Sequence, residues 1–584
     1  MDENSNTSAW GHMTGAVGVV DSLRRAGVER VFGIPSIEGT WLFDAFDASR
    51  IDFVTVTQEQ SAVFMADATS RLTGELSACV LAPGQGLAKA MAAIAQAMMD
   101  SSPVVVLVAG AGPRGMGDDR SSSSISNQLA MVRSVAKRVL RIDEPEMVPS
   151  AMSRAVQLAR QGEPGPVVVE IPQDVQRGSA RMEGTGFRQG PRLLSRKAVA
   201  ALSQTVQLMN EAQQVGLYVG AGSFDALDEL KQLAEKIQAP VATSLSGLGA
   251  LPSIHKLSVG FGAGQMGSMV AQAALSKCDL ILAVGCKFSE MVSGGIDWHP
   301  DAPVIHIDIG PGNAGANIET KLAITAPARQ ALRYLLDRLQ PMEHPEMLEL
   351  IKDQKRVQRR LLRERHDWTD AVDPVKVFLH LREALTGEDV LVLDAGNHAM
   401  FAFASYEVQA ARSLIAPVDY RASGFSVAAG VAAKLARPDQ RVVACVGDGG
   451  FLQAHVELLT ARRCNVDPVV AVFADNSLGM VKAFHQRVLG RQTEVDLVPI
   501  DYEQLAKSFG VEYLCIRHDG QLQEGIRKAL TMEAPVVLEL RVQYRDITPY
   551  VRIVSQLERK RLPRSATLKL GARLILKKLF KKSF

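Results

Sequence analysis

The sequence predicts an α/β protein of several domains built on parallel sheets. Two observations carry this expectation. At 584 residues the chain is too long for one hydrophobic core, and its length suggests three or four domains. Short apolar runs also alternate with helical stretches, most clearly in residues 442–480, VVACVGDGGFLQAHVELLTARRCNVDPVVAVFADNSLGM. That stretch reads as a buried strand at 442–446, a glycine turn carrying an acid, and a helix from about Leu452. A second buried strand at 469–473 then runs into the turn Ala474-Asp475-Asn476-Ser477. Strand, helix and strand in that order make a βαβ unit of a parallel sheet.

Both acidic turns then lie at carboxyl ends of strands, where open α/β sheets bind ligands. Gly447, Gly449 and Gly450 let backbone N–H groups approach a phosphate, and the helix that follows points its positive end at it. Asp448 and Asp475 are oxygen ligands of the kind Mg²⁺ takes together with substrate phosphates. The unit reads as a holder for a magnesium diphosphate.

The remaining elements follow in order. Residues 14–175 read as a first α/β domain: a helix through 22–27, a strand at 31–33 ending in Ile34-Pro35-Ser36, and a strand at 53–56 stopping at Thr57-Gln58-Glu59-Gln60. A helix at 62–71 follows, then a strand at 78–81 ending in Ala82-Pro83-Gly84-Gln85-Gly86, and apolar strands at 103–108 and 165–172. Glu59 is a carboxylate at a strand end, sheltered where a helix begins; standing alone, it would read as an acid complementing the helix dipole. Residues 115–128 are a Gly/Ser-rich surface loop, and 180–195 are a linker by composition. A middle domain carries Gly220-Ala221-Gly222 after a strand, a Rossmann-like turn that is weak evidence for a dinucleotide on its own. A strongly basic helix at 349–365 precedes a third domain that begins near Asp373-Pro374.

The totals bound the function. Composition is that of a globular enzyme, with 47% apolar and 22% charged residues. Six scattered cysteines argue for a reducing compartment and against disulfide or metal frameworks. The polar, acidic start MDENSNTSAWGHM does not read as a signal peptide, and no apolar run reaches the length expected of a membrane span. The expected location is cytoplasmic. The net charge of +2 conceals an asymmetry: ten Lys and Arg and one Glu from Ser555 onward leave 55 basic and 62 acidic residues in the rest. That tail, with LKLGARLILKKLFKKSF, reads either as solvated or as a helix touching the inner membrane face peripherally. Its basic residues lack interleaved stacking aromatics, so no nucleic-acid partner is expected.

Gly447-Asp448-Gly449, followed 27 residues after Asp448 by the Asp475 turn and Leu478-Gly479-Met480, resembles the signature of the thiamine diphosphate-dependent enzyme superfamily. The overall likeness is greatest to the acetolactate synthase large subunit, with pyruvate oxidase and pyruvate decarboxylase as relatives. VFGIP, QEQSAVFMADATSRLTG, APGQG and SSPVVVLVAG resemble the family's pyrimidine-binding domain block by block, and VGLYVGAGS through VIHIDIGPG its central domain. The resemblance implies three doubly wound parallel-sheet domains: pyrimidine-binding (12–180), central Rossmann-like (195–340) and diphosphate-binding (370–550), with a basic amphipathic tail at 555–584.

It also implies roles. Glu59 would bind N1′ of the aminopyrimidine and stabilise the imino tautomer whose N4′ removes the C2 proton, with Pro35 beside it. Asn397 and His398 would contact the diphosphate. Gly447, Gly449, Gly450, Asn476, Leu478, Gly479 and Met480 would surround the cofactor. Asp448, Asp475 and the carbonyl of Ser477 would hold Mg²⁺, with Asn476 the alternative side-chain ligand. Four departures bear on chemistry. Ser423 stands where Met or Leu usually props the thiamine, and Ala474-Asp475 where Asn-Asn is usual. Phe484 stands where synthases have Trp, and Gln173 where they have Lys. FAD is a further cofactor the resemblance admits, although Lys287-Phe288-Ser289-Glu290-Met291 lacks the second Arg of the synthase motif.

The expected function is 2-oxo acid decarboxylation with carboligation, acting on small-molecule 2-oxo acids as a homodimer or homotetramer. The alternatives are an FAD-dependent oxidase, a simple decarboxylase, and a cofactor-binding scaffold without turnover.

Overall fold

The computed structural model describes residues 12–110, 127–182, 193–289, 298 and 300–561. Most of the expected loop at 115–128, part of the 180–195 linker, and the tail beyond residue 561 lie outside the described residues.

Three six-stranded sheets organise the chain, and every ladder within them is parallel. The first runs Asp52–Thr55, Arg30–Gly33, Ser77–Leu81, Val104–Gly110, Val167–Pro172, Arg138–Arg141 in space. The third runs Leu414–Ile415, Val390–Leu393, Val442–Gly447, Val469–Ala474, Val536–Arg541, Glu512–Ile516. Numbered within each domain, both read 2-1-3-4-6-5, so the two outer domains share one topology. The middle sheet, with strands Ser258–Phe261, Val241–Thr243, Val215–Val219, Leu280–Val284, Val304–Asp308 and Leu322–Thr325, reads 3-2-1-4-5-6. That is the order of a dinucleotide-binding Rossmann sheet. The continuous Val, Ile and Leu content of the central strands follows from having both faces covered by helices.

Element ends differ from the sequence expectation where tertiary context acts. The helix expected from about Leu452 begins at the glycine turn, as Asp448–Ala454, continues through a 3₁₀ turn at His455–Glu457, and resumes at Leu458–Arg463. Gly449 and Gly450, weak helix formers, are helical because the first turn is held from outside. The helix expected at 62–71 spans Glu59–Thr73, closed by Gly74 at φ +80°.

The outer domains are joined by one core. Glu59–Thr73 lies against Phe425–Ala436 across a seam of small residues, Ala62, Ala66, Ala428, Ala429 and Ala432, all fully buried. Phe64 meets Phe425 edge-on at 5.5 Å between ring centroids. Small side chains let the two backbones approach closely, and the aromatic pair fills the gap that remains. Gly220 and Gly222 serve a similar close approach in the middle domain, because a Cβ on Gly220 would lie 2.2 Å from the carbonyl oxygen of Gly285.

Among the described residues no helix is long and apolar enough to cross a membrane. The helix Pro549–Arg561 packs on Gly479–Val488, with Ser555 fully buried and accepting from Arg487 Nε at 2.8 Å. The first residues of the basic segment are therefore docked against the third domain.

Candidate active site

In an open α/β sheet the crevice for a ligand forms where neighbouring strands send their connections in opposite directions. In the third domain that point lies between Val390–Leu393 and Val442–Gly447. A cleft of about 360 Å³ opens there. Asp394, Asn397 and His398 line it from the first strand end, Asp448 and the glycines from the second, and Asp475, Ser477, Leu478, Gly479 and Met480 from the third. Ser423 and Gln453 close another side and share a hydrogen bond of 3.3 Å.

The two acids meet as their spacing suggested. Asp475 donates its backbone N–H to Asp448 Oδ2 at 2.9 Å, while Asp448 Oδ1 accepts from the Tyr502 hydroxyl at 2.6 Å. Ser477 Oγ donates to Asp475 Oδ2 at 2.7 Å. Burial, reinforced by the Asp448 charge, pushes the Asp475 carboxyl up to about 6. A divalent cation ligated by both carboxylates would relieve the repulsion between them. Asn476 sits at φ +52°, a turn conformation that asparagine tolerates. It does not line the cleft, whereas its neighbours Asp475 and Ser477 do.

The opposite wall holds polar atoms without partners. His398 Nε2 and Asn397 Oδ1 are buried and unpaired among the described residues. Burial holds the His398 ring down at about 4, so it is neutral at pH 7, and it stacks on Phe473 at 5.3 Å. Unpaired buried polar groups cost roughly 1–3 kcal/mol each, and a bound polar ligand removes that cost. The glycines leave little room: a Cβ on Gly449 would lie 2.8 Å from Leu478 Cδ2, and one on Gly479 2.9 Å from Asp475 Oδ2. Together these features fit a diphosphate with a divalent ion.

Asp394, at the end of the strand Val390–Leu393, is a site residue that the sequence reading did not single out. It is fully buried, and its carboxylate accepts from the N–H groups of Ala395 (2.9 Å), Gly424 (3.0 Å) and Ser426 (2.9 Å). It thereby caps the helix Phe425–Ala436 from a neighbouring strand. Burial raises its carboxyl to about 6. Gln453 and Arg421, which line the cleft, and Tyr502, which bonds Asp448, were not legible as site residues, because they come from separate elements.

Glu59 and Pro35 do not line this cleft. Glu59 opens the helix Glu59–Thr73, 3.6 Å from Lys89 Nζ and packed near Gly86, with its side chain 14% exposed. The backbone N–H groups of Thr57 and Gln58 donate to the buried carboxylate of Glu457, the latter at 3.0 Å. A third-domain acid thus fixes the turn that presents Glu59. Pro35 is exposed, and Ile37 beside it is 83% exposed. Gln128, at the end of the expected surface loop 115–128, is instead buried between Gly84 N (2.8 Å) and Glu170 Oε1 (2.6 Å) and holds the glycine loop in place.

Comparison with known proteins matches this division. Residues 13–131 match the N-terminal TPP binding domain of thiamine pyrophosphate enzymes, 202–335 the central domain, and 394–540 the C-terminal TPP binding domain. The chain belongs to the thiamine pyrophosphate enzyme family. Among its relatives is a probable acetolactate synthase large subunit of Methanocaldococcus jannaschii, 30% identical over 563 residues, covering 92% of this chain and 93% of that protein. The acetolactate synthase isozyme 3 large subunit of Escherichia coli K12 is 30% identical over 539 residues, covering 89% and 92%. The acetolactate synthase large subunit of Corynebacterium glutamicum is 29% identical over 548 residues, covering 90% and 86%. As a member of this thiamine pyrophosphate enzyme family the chain is an enzyme, with its two TPP-binding domains on the two sheets of identical topology.

A second cleft of about 530 Å³ lies where the first, middle and third domains meet, lined by Ala221, Gly222, Arg71, Arg160, Arg329 and Arg412 among others. Each of these guanidinium groups already has a partner. Arg71 bonds Asp100, Arg160 bonds Glu75, Arg329 bonds the Asp225 carbonyl, and Arg412 bonds the Arg71 carbonyl.

Proposed function

We propose that this enzyme uses thiamine diphosphate and Mg²⁺ to decarboxylate a 2-oxo acid and to join the retained fragment to a second carbonyl compound, the activity that the names of its relatives suggest. The observation that carries this reading is the convergence on one cleft of the Asp448–Asp475 pair, the glycine turns and the unpartnered Asn397 and His398. When bound, thiamine diphosphate supplies the electron sink that lets a 2-oxo acid lose CO₂. Asn397, His398 and the amino end of Asp448–Ala454 would hold the diphosphate. Asp448, Asp475 and the Ser477 carbonyl would ligate Mg²⁺, which accepts carboxylate and phosphate oxygens together. Glu59 would hold and move the proton at the aminopyrimidine. Phe403, Tyr544 and Tyr550, which also line the cleft, would exclude water from it.

The separation of Glu59 from the metal-side cleft supports an assembly in which each complete site takes Glu59 and Pro35 from one copy and the diphosphate wall from another. A homodimer, or a homotetramer built from two such pairs, follows. The exposed Ile37, Leu478 and Val481 are apolar surface that such a pairing would cover. We place the enzyme in the cytoplasm. Contact of the tail with an anionic membrane face is tested by co-sedimentation of the full chain with phosphatidylglycerol vesicles. FAD belongs to the same reading only as a second cofactor. Its place would be the inter-domain cleft, where the guanidinium groups would have to exchange their present partners for it, and flavin absorbance of the purified protein decides this.

The deciding experiment supplies thiamine diphosphate, Mg²⁺ and a panel of 2-oxo acids and follows CO₂ and products by NMR, with Glu59→Gln alongside. The variant is expected to bind cofactor but to lose C2–H/D exchange and CO₂ release. Unchanged exchange in Glu59→Gln overturns the role given to that residue. An aldehyde in place of a coupled hydroxy-keto product moves the enzyme to the simple decarboxylases, and a reduced acceptor moves it to the oxidases.

A further inference from the structure

Eight non-glycine residues among those described have a left-handed φ, and Arg421, at +62°, is the one whose side chain lines the metal-side cleft. An L-residue with a long side chain adopts this conformation against its intrinsic preference, and such positions persist where the surroundings over-determine them. Here the fixing contacts are visible. The next N–H, of Ala422, donates to the buried Gln96 Oε1 at 3.1 Å, and that of Gly424 donates to Asp394. Both bonds hold the backbone that follows Arg421, and its side chain is carried to the cleft wall.

Its chemistry there is distinctive. Arg421 is the one Lys or Arg lining this cleft among the described residues, and His398, the other basic side chain, is held neutral by burial. Arg421 NH1 donates to the Tyr550 hydroxyl at 2.5 Å, with the guanidinium 5.9 Å from the Tyr550 ring. No described carboxylate forms an ion pair with it. The acids that share the cleft are otherwise engaged. Asp394 caps a helix, and Asp448 and Asp475 bond Tyr502 and Ser477. A guanidinium oriented by one tyrosine keeps donors free for a carboxylate, which it matches bidentately.

We propose that Arg421 is a specificity-determining residue that binds a substrate carboxylate retained in the product. This rests on the thiamine diphosphate reading above. The carboxylate lost as CO₂ is a poor candidate, because a guanidinium that stabilises its charge in the ground state raises the barrier to losing it. A retained carboxylate carries no such penalty. It could be the C1 carboxylate of a 2-oxo acid acceptor or the distal carboxylate of a dicarboxylic donor.

Arg421→Gly tests this at little risk to the fold, because glycine adopts φ +62° more readily than arginine. Full-length protein with thiamine diphosphate and Mg²⁺ is assayed with pyruvate as donor against a 2-oxo acid acceptor and an aldehyde acceptor. In parallel, the donors pyruvate and 2-oxoglutarate are compared by CO₂ release. In the variant, kcat/KM for the 2-oxo acid acceptor is expected to fall at least tenfold relative to the aldehyde, mainly through KM, with partial recovery in Arg421→Lys. If the loss is instead confined to 2-oxoglutarate, the retained carboxylate is the donor's. Equal acceptor and donor ratios in wild type and variant overturn the proposal. So does a rise in the cofactor Kd without a change in those ratios, which assigns Arg421 to the diphosphate. No cofactor-dependent CO₂ from the wild-type enzyme with any acid is a separate outcome that overturns the underlying functional reading.

Discussion

Asp394 offers the sharpest test of how this site is held together. Its two carboxylate oxygens accept three backbone N–H groups, from Ala395, Gly424 and Ser426, at 2.9, 3.0 and 2.9 Å, in a fully buried position. Asp394→Ala leaves all three donors without a partner. At about 1–3 kcal/mol for each buried unsatisfied group, and allowing for some entry of water, the loss is about 3–5 kcal/mol. Asp394→Asn keeps one acceptor oxygen but turns an NH₂ toward an N–H donor, and is expected to cost about 2 kcal/mol at pH 4. The pH dependence separates the charge from the hydrogen bonds. Burial raises the folded-state carboxyl to about 6 from the ordinary 3.8. Stability that Asp394 contributes below about pH 4 is therefore lost as pH rises through 6. Asparagine has no such loss, so the penalty of Asp394→Asn relative to wild type should shrink between pH 4 and pH 7. Urea unfolding of both variants and wild type at the two pH values measures this. An Asp394→Ala penalty below 1 kcal/mol, or an Asp394→Asn penalty that grows with pH, would refute the reasoning.

Two further expectations follow from the same geometry. Tyr502→Phe removes the donor that orients Asp448 at 2.6 Å; since groups that orient metal ligands typically matter 10–100-fold in affinity, the Mg²⁺ requirement for cofactor binding should rise by at least about tenfold with little change in fold, as read by titrating Mg²⁺ against cofactor-induced fluorescence change. Gly220→Ala drives a Cβ to 2.2 Å from the Gly285 carbonyl and should cost at least about 2 kcal/mol in a thermal unfolding series, whereas Gly312→Ala, with nothing within 4 Å, should be close to neutral.

The shared 2-1-3-4-6-5 order of the outer sheets clarifies why one cofactor can call on both. Each sheet has its topological switch point at the same place, between its first and third strands. Acids and glycine turns stand at the third-domain point, and Ile34-Pro35 and the loop 82–86 at the first-domain one. In the proposed reading the metal and the diphosphate would go to one sheet, and the aminopyrimidine ring with Glu59 to the other.

The α/β class, the positions of most strands and the pairing of Asp448 with Asp475 were legible in the sequence. Their signals are local: continuous apolar runs for strands buried on both faces, and glycine with acid at strand ends. The linear order of residues could not show three things that the tertiary structure decided. The helix at Asp448 starts four residues before the expected Leu452, because packing overrides the poor propensity of its glycines. Asp394 and Glu457 cap backbone N–H groups in elements 30 and 399 residues away along the chain, a partnership with no sequence period. Arg421 became a candidate only once its φ was visible, together with the absence of any other Lys or Arg lining the cleft among the described residues. In each case the deciding contact joins residues distant in sequence, where composition and periodicity carry no signal.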